Sequence, residues 1–254
     1  MQPSELARRL APEVRRVLSE VEATLFGHRS FEPASSARTF RIAANDYCGA
    51  VVLPDWVGRV RAAAPGTRLD VHEQHGSAPV TELARGELDL ALGTFLEPSP
   101  DLKTRTLFDE TFVCLVRRGH QVARRKLTVD VYAALDHVLI VSPGYGPGLV
   151  DHALSMLGLK RNVAVRVPHY LVAPSIVAKS DLIATVPARI ARGLAHAHGL
   201  AVLEPPIALR AFPVSVAWHP RADSEPAVAW LLGVLAETVK ALALPEPARH
   251  SSRE

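Results

Sequence analysis

Residues 81–95, TELARGELDLALGTF, constrain the fold more than any other stretch of the chain. Leu83 and Leu88 flank Gly86, and Leu88, Leu90 and Leu92 recur at every second position. That pattern reads as a short helix, a tight glycine turn and a buried strand, one half of a parallel αβ unit. Asp89 is the polar exception where the strand begins. In open sheets of this kind ligands collect at the carboxyl ends of strands, so residues 93–95 are expected to wall a ligand site.

The same alternation continues along the chain. Strands are expected at 39–43, 68–73, 89–93 and 112–117, with helices at 51–64 and 79–85 between them. Pro54 is tolerable in the first turn of its helix. A second set follows, with strands at 138–141, 163–167, 182–186 and 200–203 and helices at 149–157, 172–180 and 188–196. Strand 212–218 and helix 225–242 close the chain, and residues 245–254 are expected to fray. Two αβ sets, each too small to fill the body, imply two lobes. The closing strand and helix find partners most simply in the first lobe. This gives lobe I as 37–117 with 211–245, and lobe II as 118–210, with crossovers near Arg118 and Arg210. A two-crossover hinge around a cleft is the architecture of proteins that close on small ligands.

Residues 4–26 read as a helix outside this body. Ala7, Leu10, Val14, Val17, Val21 and Thr24 make a narrow apolar seam of the coiled-coil kind, interrupted by Pro12. Residues 1–29 are therefore assigned to a dimerisation helix. The seam is expected to face a second copy, because 27–37 (GHRSFEPASSA) reads as a linker detaching the helix.

Composition removes several classes. The 254 residues are 48% hydrophobic, far from disordered composition. A net charge of +3 from scattered arginines is weak support for nucleic-acid contact by these residues themselves. Cys48 and Cys114 read as buried thiols. With neither an apolar leader nor a run near 18 apolar residues, a soluble, cytoplasmic protein is expected.

Catalytic signatures are absent: no G-x-S-x-G, P-loop, G-x-G-x-x-G or H-E-x-x-H occurs. The pairs His72/His75 and His196/His198 lack companion ligands, so no metal site is read from them, and no cofactor is called for. Strand ends are richer. They carry Asn45, Asp46 and Tyr47; His75, Gly76 and Ser77; Thr94 and Phe95; Ser142 to Gly146; and His169 and Tyr170. Tyr47, Phe95, Tyr145 and Tyr170 thus share one edge, which favours a flat, partly apolar ligand. The glycine- and proline-rich loop 142–148 opens a helix, and its amides suit a carboxylate or phenolate as well as they suit a plain turn.

The helix-plus-linker start, FRIAAN at 40–45, Leu53–Pro54, the Pro65–Gly66 turn, GELDLALG at 86–93 and LIATVP at 182–187 together resemble LysR-type transcriptional regulators. The likeness covers roughly residues 1–245 and is nearest the branch that responds to aromatic and phenolic inducers. The resemblance implies a two-lobed type 2 periplasmic-binding-protein-like α/β fold with an N-terminal linker helix, a small-molecule co-inducer between the lobes, and a homodimer or homotetramer. It also implies control of transcription at promoter DNA through an N-terminal winged helix-turn-helix. Residues 1–10 match the point where that DNA-binding part ends, so truncation or a DNA-blind paralogue is expected. Carried over position by position, the inducer cleft takes Asn45, Asp46, Tyr47, His75, Ser77, Thr94, Phe95, Ser142, Gly144, His169 and Tyr170. Dimer contacts fall on Leu10, Val14, Val17, Val21, Leu53 and Val57. Relatives often place Ser or Thr after the first strand, whereas Asp46 here would repel an anion and favour a neutral phenol or a protonated partner. A solute-binding protein, an enzyme on the same scaffold and a ligand-blind dimerisation module remain open alternatives at this point.

Overall fold

The computed structural model describes residues 31–141 and 148–242, together with helical positions 10, 11, 13, 14, 16–18 and 21. Two five-stranded sheets form its centre. The first lobe starts with strand β1 (Thr39–Ala44), helices α1 (Asp46–Val51) and α2 (Leu53–Ala63), strand β2 (Arg68–Glu73), helix α3 (Val80–Arg85) and strand β3 (Leu90–Gly93). Strand β4 (Lys103–Glu110) ends this passage. β1 pairs in parallel with both β2 and β3, and the order across the sheet is β2-β1-β3-β10-β4. Strand β10 (Phe212–Trp218), antiparallel to β3 and β4, and helix α8 (Pro226–Ala241) return to this lobe from the end of the chain.

The second lobe holds strand β5 (Phe112–Arg117), helix α4 (Val129–Ala134), strand β6 (Asp136–Ile140), helix α5 (Leu149–Ser155) and strand β7 (Asn162–Val167). Helix α6 (Ala173–Ala178), strand β8 (Ile183–Pro187), helix α7 (Ala188–Ala195) and strand β9 (Leu200–Leu203) complete it. The order β7-β6-β8-β5-β9 repeats the pattern of the first sheet: three parallel strands, then one that runs against them, then an edge strand that runs with them again.

The physical cause is legible in single strands. In β1, Phe40, Ile42 and Ala44 enter the core under α1, α2 and α8, while Ala43 faces the opposite cluster beneath α3. In β5, Val113 and Leu115 pack towards α6 and α7, and Cys114 and Val116 towards α4 and α5. Strands covered on both faces must be apolar at every position, unlike a half-solvated strand.

Three expectations need correction. β5 belongs to the second sheet, so the first crossover lies at Thr111 rather than near Arg118, and the lobe boundary moves with it. β4, in a stretch to which the sequence pattern assigns no element, is an edge strand; its exposed Lys103-Thr-Arg-Thr106 half carries no core alternation because water covers it. The helix expected at 51–64 is two: α1 starts earlier and ends at Val51, and α2 starts at Leu53 with Pro54 in its first turn. Proline has no N–H to continue the preceding helix's ladder.

Gly86 sits in the left-handed region (φ 72°) between α3 and β3. The conformation demands glycine, and a Cβ there would meet the Arg221 guanidinium at 2.5 Å and push that side chain aside. Asp89 holds the following strand to β1: it accepts from the Arg41 N–H (2.8 Å) and from Arg38 (2.8 Å), which also reaches Glu225.

Candidate functional site

The site begins at the end of β1. Asn45 is the N-cap of α1, its Oδ1 accepting from the Cys48 N–H at 2.9 Å. The next residue, Asp46, leaves the first lobe altogether: its Oδ2 accepts from the Tyr170 N–H at 2.5 Å, just beyond β7 of the second lobe. Close by, Glu73 at the end of β2 has His75 Nε2 at 3.2 Å and His169 Nδ1 at 4.0 Å, the latter from the opposite lobe. Residues following β1, β2 and β7 therefore converge, as the carboxyl-end argument requires.

Ser77 stands exposed on the turn after β2. That turn is held by Gln74, which is nearly buried and donates from Nε2 to the carbonyls of Gly76 (3.2 Å) and Ser77 (2.7 Å). Gln74 escaped the sequence reading; a single long polar residue directly after a strand was its only signal. Thr94 is half-buried at the end of β3. Ser142 and Gly144, with the rest of loop 142–147, lie outside the described residues.

Two aromatic expectations change. Phe95 is buried among Ala43, Leu83, Leu88 and Ala91 in the core beneath α3, so it supports the strand end and presents no free ring. Tyr47 is 2% exposed and sits edge-on to Tyr170 (6.2 Å between centroids) and to Phe212 (6.2 Å). Its hydroxyl donates to Glu110 Oε2. Burial, reinforced by the neighbouring carboxylate, raises the Tyr47 pKa well above its ordinary value and keeps the phenol protonated as a donor. Tyr170, half-buried, is the ring left at the junction.

Glu110 was not anticipated. It is 0% exposed, and besides Tyr47 it accepts from the Thr111 N–H (2.8 Å) and has Arg189 Nη1 at 3.4 Å. Arg189 starts from α7 in the second lobe, lies over the Phe108 ring at 4.0 Å and donates to the Asp109 carbonyl at 3.2 Å. A buried acid, a phenol and a guanidinium thus meet at the first crossover, each satisfying another, as a charge out of water requires. Apolar contact joins the lobes as well: Ile190 is part of the first lobe's core, and Leu194 and Tyr170 pack against it.

The residues expected at a subunit contact divide into two groups. Leu10, Val14, Val17 and Val21 are each 44–51% exposed on the N-terminal helix. Leu53 and Val57, on α2, are half-buried, with Leu53 leaning on the chain's own core. Among the described residues no cluster of three or more His, Cys, Asp or Glu side chains is arranged to hold a metal ion. No described helix is long and apolar enough to cross a membrane.

A family model described as the LysR substrate binding domain matches residues 33–240. The transcriptional activator NahR of Pseudomonas putida is 30% identical over 235 residues, covering 91% of this chain and 77% of NahR. Nodulation protein D 1 of Bradyrhizobium sp. (strain NC92) is 30% identical over 253 residues, covering 98% of this chain and 79% of that protein. Among solved structures, the probable transcriptional regulator PA0477 of Pseudomonas aeruginosa superimposes with a TM-score of 0.80 at 32% identity, over 93% of this chain and 78% of that one. The two-lobed α/β architecture is that of regulatory domains with a periplasmic-binding-protein-like fold.

Proposed function

The chain belongs to the LysR family of transcriptional regulators, and we propose that it senses a small, flat, aromatic or phenolic co-inducer held where the two lobes meet. One observation carries this reading: the Asp46–Tyr170 hydrogen bond joins two strand ends of different sheets. A molecule seated beside it touches both lobes at once and can favour one lobe angle over another. A ligand shifts such an equilibrium only by its difference in affinity for the two states. Because Asp46 and Glu73 are the acids at this junction, a neutral phenol suits it better than a dianion.

In this reading the exposed Leu10–Val21 seam pairs with a second copy in a homodimer or homotetramer, and lobe angle is passed along it to DNA-binding heads at a promoter, in the cytoplasm. Head spacing must match half-site spacing, so a small rotation changes operator contact. The test is titration calorimetry with a panel of phenolic acids and flavonoids, alongside thermal unfolding. Binding that Ser77→Ala or Tyr170→Ala weakens, with both variants folded, supports the sensor. Absence of heat and of thermal shift across the panel favours a ligand-blind dimerisation module.

A further inference from the structure

One helical turn along α1 from Asp46, a second opening lies between the lobes, with a volume of about 390 Å³. That is within the range of small-molecule sites. Val51 supplies its wall from the first lobe, Leu171, Ile190 and Leu194 from the second, and Leu242 from beyond the end of α8. Among the described residues no aromatic ring and no carboxylate lines it, and the charged side chains at its wall are two guanidiniums, which are unequal. Arg189 is 10% exposed and already balanced by Glu110. Arg192, one turn further along α7, is exposed and makes no hydrogen bond or ion pair among the described residues. An aliphatic hollow at whose edge Arg192 is the uncompensated cation among the described residues selects an apolar body ending in an anion, since a neutral ligand would forgo the charge-assisted bond.

We propose that this opening is a second ligand site, for a small aliphatic carboxylate whose chain lies against Val51, Ile190 and Leu194 and whose carboxylate pairs with Arg192. Its residues are separate from those proposed for the strand-end site, so the two proposals fail separately. Walls from both lobes make its affinity depend on lobe angle. By linkage, binding here and at the strand ends alters each other's affinity by one common factor.

Titration calorimetry of the whole chain with octanoate, and with octanamide as its neutral counterpart, tests the site. Octanoate is expected to bind saturably and octanamide about tenfold more weakly or not at all, a difference of about 1.4 kcal/mol. Arg192→Gln should lower octanoate affinity about tenfold. Gly193→Leu should abolish it by filling the hollow; a Cβ at Gly193 meets nothing within 4 Å, and leucine is the better helix former, so folding is preserved. Ser77→Ala should leave octanoate binding unchanged. The proposal is overturned if octanoate gives no saturable heat, if octanamide binds equally well, or if both α7 variants bind octanoate like the parent chain. Loss on Ser77→Ala, with the α7 variants unaffected, also overturns it by moving the carboxylate to the strand ends.

Discussion

Glu110 shows what one side chain does when the chain gives it no access to water. Tyr47, Thr111 and Arg189 are its only compensation among the described residues, and they come from the first lobe, the crossover and the second lobe. Replacing Arg189 by leucine leaves a buried charge without its counterion, a loss of about 3–5 kcal/mol. Tyr47→Phe leaves one acceptor unsatisfied and should cost about 1–3 kcal/mol. Urea unfolding of both variants checks the order. His137 makes a separate prediction. It is buried in the second lobe, its Nε2 at 2.8 Å from the Tyr132 carbonyl, and burial lowers its pKa from 6.5 to about 4. The folded state therefore holds the neutral ring while the unfolded chain takes up a proton below pH 6.5. Stability is fully present above that pH and falls as pH drops towards 4, by about 3 kcal/mol in total. Urea midpoints at pH 7.5 and 4.5 should differ less for His137→Gln than for the parent chain. None of these partnerships was legible in the sequence: Glu110 meets Tyr47 and Arg189 from distant stretches of the chain, and hydrogen-bond partners leave no periodic trace even where, as for His137 and Tyr132, they lie close together.

Elements were legible in proportion to how completely they are buried. β1, β3 and β5 announce themselves through apolar residues on both faces, and the Gly86 turn through its position between a helix and a strand. Gly86→Ala should cost about 1–2 kcal/mol from the left-handed conformation alone, read as a lower urea midpoint, with the Arg221 side chain displaced in addition. β4 was hidden because an edge strand in water needs no apolar rhythm, and β5 was placed in the wrong lobe because strand pattern says nothing about which sheet receives a strand. The N-terminal seam was visible as a pattern, and its side chains stand in solvent in the single chain, with Val17 47% exposed. Val17→Glu should shift sedimentation velocity towards smaller species, since a charge facing an apolar partner is expensive to bury. Unchanged sedimentation would mean that the globular lobes alone hold any oligomer.

At the scale of the whole molecule, the strand-end rule located the meeting place of the lobes before any contact was known, but it did not separate residues that face the gap from residues that hold it together. Asn45 caps a helix, Phe95 fills a core and Asp46 ties one lobe to the other. Asp46→Ala removes a charge-assisted bond of about 1.5–3 kcal/mol from the joined state. Small-angle scattering of the ligand-free variant should report a larger radius of gyration than the parent chain; equal values would mean that Ile190, Leu194 and the Glu110 cluster suffice to keep the lobes together. The two passages between the lobes differ greatly in length. Thr111 alone separates β4 from β5, whereas residues 204–211 separate β9 from β10. A door hung with one tight pin and one slack strap swings about the pin, so displacement grows with distance from Thr111 and the slack side sweeps the wider arc.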